Sequence, residues 1–217
     1  MTHLSPFQRL LVETLILQGA VLADSDSTAA NLNATNASAL PIAISSMRRE
    51  LRLFLGYTCF ENARAHWFIF IPSITIPIIG KVIQVTGNPH TGFGFQIKLN
   101  YNSTPDLSLL GTTHFVPLGS VSADQVVDNY MPRVGYGPTL RDYPIDGIEM
   151  IAYNQGMPYR DPNVALPPIG DPIWAQSLPQ FERCQEWTRK LVHRLVQLGH
   201  LQPTAISALD TATSFGL

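Results

Sequence analysis

The sequence predicts an α+β fold, an antiparallel sheet of about four to six strands with helices packed on it. Three observations lead there. Between residues 65 and 130 the chain runs through short β-branched and aromatic stretches, AHWFIFIP, GKVIQVTG and GFGFQIKLNYN, each bounded by Pro, Gly or Asn. Their connections are too short for helical crossovers, so neighbours should pair antiparallel. Near the C-terminus, FERCQEWTRKLVHRLVQLG carries its apolar residues at helical spacing instead. Finally, 17 Pro and 15 Gly in 217 residues call for many irregular connections and argue against a helix bundle.

In chain order, residues 1–57 read as a helical N-terminal part of a single domain spanning 1–217. Ser5-Pro6 followed by Leu10, Leu11, Leu15 and Ile16 makes a helix start with helical spacing. DSDSTAANLNATNASA has no periodicity and reads as a loop. In MRRELRLFLGY, Met47, Leu51 and Phe54 or Leu55 return to helical spacing. The strand-rich part, 60–130, follows, with HFVPLGSV as a weaker fourth strand. From 131 to 180 the density of Pro, Gly, Tyr and Asp predicts a long ordered loop with one short helix. In the C-terminal helical part, 181–217, Cys184, Trp187, Leu191, Leu195 and Leu198 share one face, and Gly199 stops the helix. PTAISALDTATSFGL predicts a terminal helical turn.

Composition narrows the function classes. Apolar residues make up 45% of the chain and charged residues 14%, against a usual charged share of about 25%. That excludes a disordered chain. The formal net charge of −2 lacks the basic footprint of a nucleic-acid binder, so no nucleic-acid partner is expected. No transmembrane segment is expected either, since the longest apolar run, residues 67–79, is interrupted by Pro72 and Pro77. The run LLVETLILQGAVLA resembles a signal-peptide core, and Asn33, Asn36 and Asn102 open glycosylation patterns. Glu13 inside that run favours a retained amphipathic helix, so a cytoplasmic protein is expected, with secretion as the alternative. The two cysteines, Cys59 and Cys184, make no disulfide scaffold or zinc spacing, and no bridge between them is expected. No phosphate loop, nucleophile elbow or H-E-x-x-H motif is present, so no cofactor and no metal are expected.

Two residues stand out for chemistry. Cys184 falls in the first turn of a helix, where free N–H groups and a partial positive charge favour thiolate. His66 heads an apolar strand and would make a thiolate–imidazolium pair with it. Gln84, isolated between Ile83 and Val85 on the next strand, is the polar group placed to orient the imidazole. Trp67 and Trp187 read most simply as core, and are also candidates for the wall of a substrate site. The bland reading competes throughout, because a Cys on an apolar helix face is most often a small buried hydrophobe.

At HWFIFIP, then GKVIQVTGNPHTGFGFQIKLNY, and downstream at ERCQEWTRKLVHRLVQLG, the chain resembles a group of uncharacterised fungal proteins. Their pattern is a His-Trp strand ending in Pro, a strand ending in VTGN, and a late helix opened by Cys-x-x-Trp. The His-before-Cys order also looks like circularly permuted papain-like folds, among them lecithin:retinol acyltransferase-like, NlpC-type and PPPDE-type enzymes. The resemblance implies a catalytic dyad of Cys184 and His66 with Gln84 as third member, the fungal pattern often having His at that place. It implies cysteine-dependent acyl chemistry, hydrolase or acyltransferase, on a small-molecule, peptide or other acyl substrate. Two other readings stay open. One is a non-covalent cyclase or isomerase of fungal secondary metabolism, the other a non-catalytic interaction module.

Overall fold

Strand pairing, not helical spacing, governs the first described element. Glu50–Phe60 form strand β1, where the sequence predicts helix. Leu51, Leu53, Leu55 and Tyr57 are buried on one face and Phe54 on the other. A strand covered on both faces presents a near-continuous apolar run, which helical spacing fits equally well. Gly56 lies opposite Phe68 on the neighbouring strand. A Cβ at Gly56 would stand 2.1 Å from the Phe68 ring, so the ring crosses the strand only because that residue is glycine.

The computed structural model describes residues 49–60, 63–104, 112–128, 138–169, 171 and 180–213, all within one unit, Arg49–Leu217. The predicted helix near residues 5–16, the loop after it and the leader-like run lie outside the described residues. After β1 come β2 (Ala63–Pro72), β3 (Ile79–Asn88), β4 (Gly92–Asn102), β5 (Thr112–Ser122) and the short β6 (Thr139–Arg141). All pairings are antiparallel, in the order β5-β1-β2-β3-β4-β6. Three α-helices accompany the sheet among the described residues: α1 (Gly147–Asn154), α2 (Cys184–Gln197) and α3 (Thr204–Thr213). The protein is therefore α+β with a six-stranded antiparallel sheet. β6, with only three residues, pairs with β4 inside the stretch expected as loop. Three residues are too few for any periodicity to register.

Pro117 sits where a strand tolerates it, on edge strand β5. Leu118 bulges out of the β1–β5 ladder between the pairs Leu53↔Gly119 and Phe54↔Pro117. Gly119 supports that bulge with φ +128°, a value glycine adopts without strain.

The sheet has two buried faces. One packs Leu53, Leu55, Trp67, Ile69, Ile83 and Ile97 against Trp187, Leu191, Val192 and Leu195 of α2 and Ala205 and Leu209 of α3. The predicted apolar face of α2 is present except at its last position, because Leu198 is largely exposed and Val192 is buried in its stead. The other face is aromatic. Phe70 meets Tyr101 of β4 at 6.0 Å and Phe115 of β5 at 5.2 Å between ring centroids, although each strand is two places away. Only a sheet curled toward this face brings those rings together.

A buried ionic cluster ties α1 to the sheet. Asp146 caps the helix by accepting the Glu149 N–H at 2.8 Å. Lys81 of β3 reaches both carboxylates, and Glu149 Oε1 lies 2.8 Å from its Nζ. Glu149 also accepts from Arg141 at 2.6 Å and from the Ile145 N–H at 2.8 Å. Asp146 takes the Val127 N–H at 3.0 Å. The sequence marks no carboxylate pair, yet the helix turn places these two side by side. Each has cations and N–H groups around it, which is the arrangement of a structural network.

Candidate active site

The ladder between β2 and β3 is short. Its pairs run from Pro72↔Gly80 to Ile69↔Ile83 and stop, although β2 reaches back to Ala63 and β3 continues to Asn88. Past Ile69 the two strands part, and the first turn of α2 takes the place of β3 beside β2. The Trp67 N–H lies near enough to the Cys184 sulfur to favour its thiolate form, and Gln185 Nε2 donates to the Ala65 carbonyl at 2.9 Å. Backbone groups that a continued ladder would pair are thus satisfied by the helix start.

Helix α2 begins at Cys184 for local reasons. Arg183 is extended, with φ −137° and ψ −168°, and its side chain has no acceptor with which to cap the helix. Glu186, the third helical residue, accepts the Arg183 N–H at 3.0 Å, which is half of a capping box. Its other oxygen receives Arg64 Nη2 at 2.6 Å, and Arg64 Nη2 also donates to the Gln185 side-chain amide oxygen Oε1. Burial would raise the Glu186 carboxyl, but the Arg64 hydrogen bond and charge prevail and hold it below the ordinary glutamate range. The N–H groups of Cys184 and Gln185 have no acceptor within the helix.

These elements bring the three sequence-predicted residues together. Cys184 and His66 lie close enough for each to shift the other's titration. His66 Nε2 lies 2.8 Å from Gln84 Oε1, and Gln84 Nε2 donates to Gln96 Oε1 at 2.7 Å. Because its amide nitrogen is committed to Gln96, Gln84 presents its carbonyl to the imidazole. That makes His66 Nε2 the protonated nitrogen and leaves Nδ1 for the sulfur. His66 points away from the face that α2 covers, alternating with Trp67, so thiol and ring meet through the opening between β2 and β3.

Electrostatics favours the ion pair. Burial alone would raise the Cys184 thiol. The His66 hydrogen bond and positive charge, the Trp67 N–H and the Arg64 guanidinium outweigh it, and Cys184 sits below the ordinary thiol range. His66 moves the other way. Burial would lower it, but the hydrogen bond and charge of Cys184, with help from Gln84, raise it above the usual histidine value against a smaller push from Lys98. Both shifts stabilise thiolate–imidazolium over the neutral pair.

The pair opens onto a cleft of about 450 Å³. Arg64, His66, Arg183 and Cys184 form its inner wall, and Gly87, Asn88, Pro89 and His90 of the β3–β4 turn its rim. Asn88 stiffens that rim by accepting the N–H groups of His90 at 2.9 Å and Thr91 at 3.0 Å. Ile169, from the stretch expected as loop, lies at the mouth and is 86% exposed.

The two tryptophans do not wall this cleft. Trp67 and Trp187 are each 1% exposed, packed between the sheet and α2, and Trp187 Nε1 donates to the Gly156 carbonyl at 2.8 Å. Their substrate-binding role is withdrawn, since rings of that size on the helix-facing side go to the core. No disulfide joins Cys59 to Cys184. Cys59 lies in β1 opposite Thr112, while Cys184 opens α2 beside β2.

Residues 54–202 match a family of unknown function, DUF6540. The chain belongs to that family. The DUF6540 span contains His66, Gln84, Gln96 and Cys184 together with the strands and helix that position them. No curated protein and no solved structure matches the chain. No helix among the described residues is long and apolar enough to cross a membrane.

Sequence reasoning overlooks Arg64, Gln96, Gln185 and Glu186. Two of these carry a readable signal. Glu186 occupies the third position of a helix opened at Cys184, where a capping glutamate belongs. Gln96 faces Gln84 once the hairpin is closed at Asn88↔Gly92 and counted back.

Proposed function

We propose that this protein is a cysteine-dependent acyl hydrolase or acyltransferase with a circularly permuted papain-like arrangement. The observation that carries the reading is the chain Cys184–His66–Gln84, at a helix start, in the wall of an open cleft. The resemblance to permuted papain-like folds supports it through the order of strand histidine and helix cysteine.

The chemistry follows from the groups present. Cys184 sulfur, as thiolate, attacks the carbonyl carbon of an amide, ester or thioester, and its proton resides on His66. The N–H groups at the start of α2 receive the oxyanion. On collapse the bond to the leaving group breaks, and His66 returns its proton to that group. Water or an amine then loses a proton to His66, attacks the thioester, and releases the acyl product and the Cys184 thiolate.

The test is the rate of Cys184 alkylation by iodoacetamide across pH. An ordinary thiol becomes reactive as pH rises through about 8.5. Here, with Cys184 lowered and His66 raised, the rate should rise at lower pH than that of an ordinary thiol and exceed it at neutral pH. A rate that rises only through the ordinary thiol range would move the reading to a non-covalent binding pocket.

Gln84 acts as a positioning residue. Gln84→Leu should lower turnover of p-nitrophenyl acetate by roughly 10- to 100-fold, a part of the usual general-base contribution. Gln84→Glu separates positioning from packing. A carboxylate beside the ring raises His66 further, so the alkaline limb of the pH–rate profile should move to higher pH. An unmoved limb in a folded variant would remove Gln84 from the site.

A further inference from the structure

We propose that Gln96 is a positioning residue of the site, accepting the Gln84 amine and so holding the Gln84 carbonyl against the His66 ring. The inference rests on the acyl-chemistry reading of the same cleft and adds a residue that acts on the nucleophile through two others.

The hydrogen bonds of Gln84 carry it. Gln84 is 1% exposed, so its amide cannot turn to water for a partner it lacks. Its oxygen lies 2.8 Å from His66 Nε2, and its nitrogen donates to Gln96 Oε1 at 2.7 Å. No other acceptor meets that nitrogen among the described residues. The two glutamines stand directly opposite each other in the β3–β4 ladder. The next residues on the same face of β4 are Gly94, with no side chain, and Lys98, whose ammonium only donates. Neither can take the place of Gln96.

Without an acceptor at position 96 the buried amine is left unpaired, which is costly. The amide escapes that cost by turning over, so that its nitrogen faces the ring. Imidazolium carries a proton on both nitrogens and cannot accept from it. The turned amide therefore suits only a neutral ring with a bare Nε2. Burial and Lys98 of β4 already oppose the ring's charge, which Cys184 of α2 and Gln84 of β3 favour. With the carbonyl gone from Nε2, the balance shifts toward neutral imidazole and thiol. Cys184, which burial would raise, then loses part of the His66 charge that holds it below the ordinary thiol range. Arg64 and Arg183 also interact with the Cys184 charge, and both stay in place.

Iodoacetamide labelling of Cys184, read on the rising limb of the wild-type pH profile, tests this. The sulfur forms an S–C bond, the C–I bond breaks and iodide leaves. Mass spectrometry of the Cys184 peptide separates it from Cys59. Gln96→Met removes the acceptor and should slow labelling roughly fivefold, the worth of one ordinary hydrogen bond. Gln96→Glu keeps the acceptor and should label at least as fast as wild type. Action through Gln84 has a signature that a packing role lacks. In a Gln84→Leu background, Gln96→Met should change the rate by less than about twofold. Equal slowing in both backgrounds would overturn the assignment. So would fast wild-type labelling that Gln96→Met leaves unchanged, or Gln96→Glu as slow as Gln96→Met. A wild-type rate no higher than that of an ordinary thiol would instead sink the nucleophile reading, and this inference with it.

Discussion

Glu149→Ala should destabilise the fold by about 3–5 kcal/mol, the usual cost of breaking one side of a buried ion pair. Glu149 is completely buried, and its two oxygens receive Lys81, Arg141 and the Ile145 N–H. Truncation leaves the Lys81 ammonium with Asp146 alone and takes the carboxylate from the Arg141 guanidinium, so an uncompensated positive charge stays in the interior. For a chain of this size the loss corresponds to a fall in melting temperature of roughly 6–20 °C. Arg189→Ala is the internal contrast. Its partner Asp210 is well exposed, and such pairs are worth about 0–1 kcal/mol. The outcome that would refute the network's role is a Glu149→Ala protein that melts with the Arg189→Ala protein. Proximity to the cleft is not involved, because none of the four charged residues lines it.

What the sequence made legible follows burial. β3, buried from Gly80 to Val85, is legible through the turn residues that bound it, while β4 and α2 each bury one face more than the other, so their periods can be read. β1 cannot, because Phe54 faces aromatic rings while Leu53 and Leu55 face the helices. With both sides apolar, a run such as LRLFLGY fits either period. α1 is hidden differently. Its capping aspartate and its glutamate serve a buried network with Lys81, and no local pattern announces partners that come from other strands.

In the site, the residue types and their element positions pick out Cys184, His66 and Gln84, and the fold brings them together, with His66 hydrogen-bonded to Gln84 and Cys184 beside the ring. The lining of the cleft does not include the two tryptophans. Aromatic size suggests substrate contact at Trp67 and Trp187, but alternation along β2 sends Trp67 to the helix side and His66 to the other. The actual lining comes from the β3–β4 turn, the start of β2 and the start of α2, elements that meet only where two strands separate. Ladder length is set by the packing of α2, so no reading of β2 or β3 alone shows where they part.

Cys184→Ala should reduce hydrolysis of p-nitrophenyl acetate by at least about a thousandfold, as removal of a covalent nucleophile does. Stability should change by no more than about 1 kcal/mol, since sulfur is replaced by nothing larger and Cys184 is only partly buried. The two opposing accounts of this residue separate on that contrast. A cysteine kept as a small core hydrophobe loses stability and has no activity to lose. A nucleophile loses activity and leaves the fold in place. The imidazole provides a second readout that needs no substrate. Hydrogen bonding and charge from Cys184 are what raise His66, against burial and Lys98. Without the sulfur, those opposing influences remain, so the His66 titration followed by NMR should move to lower pH in Cys184→Ala. A ring that titrates unchanged, or hydrolysis that persists in the variant, would show that the thiolate and the imidazolium do not act as a unit.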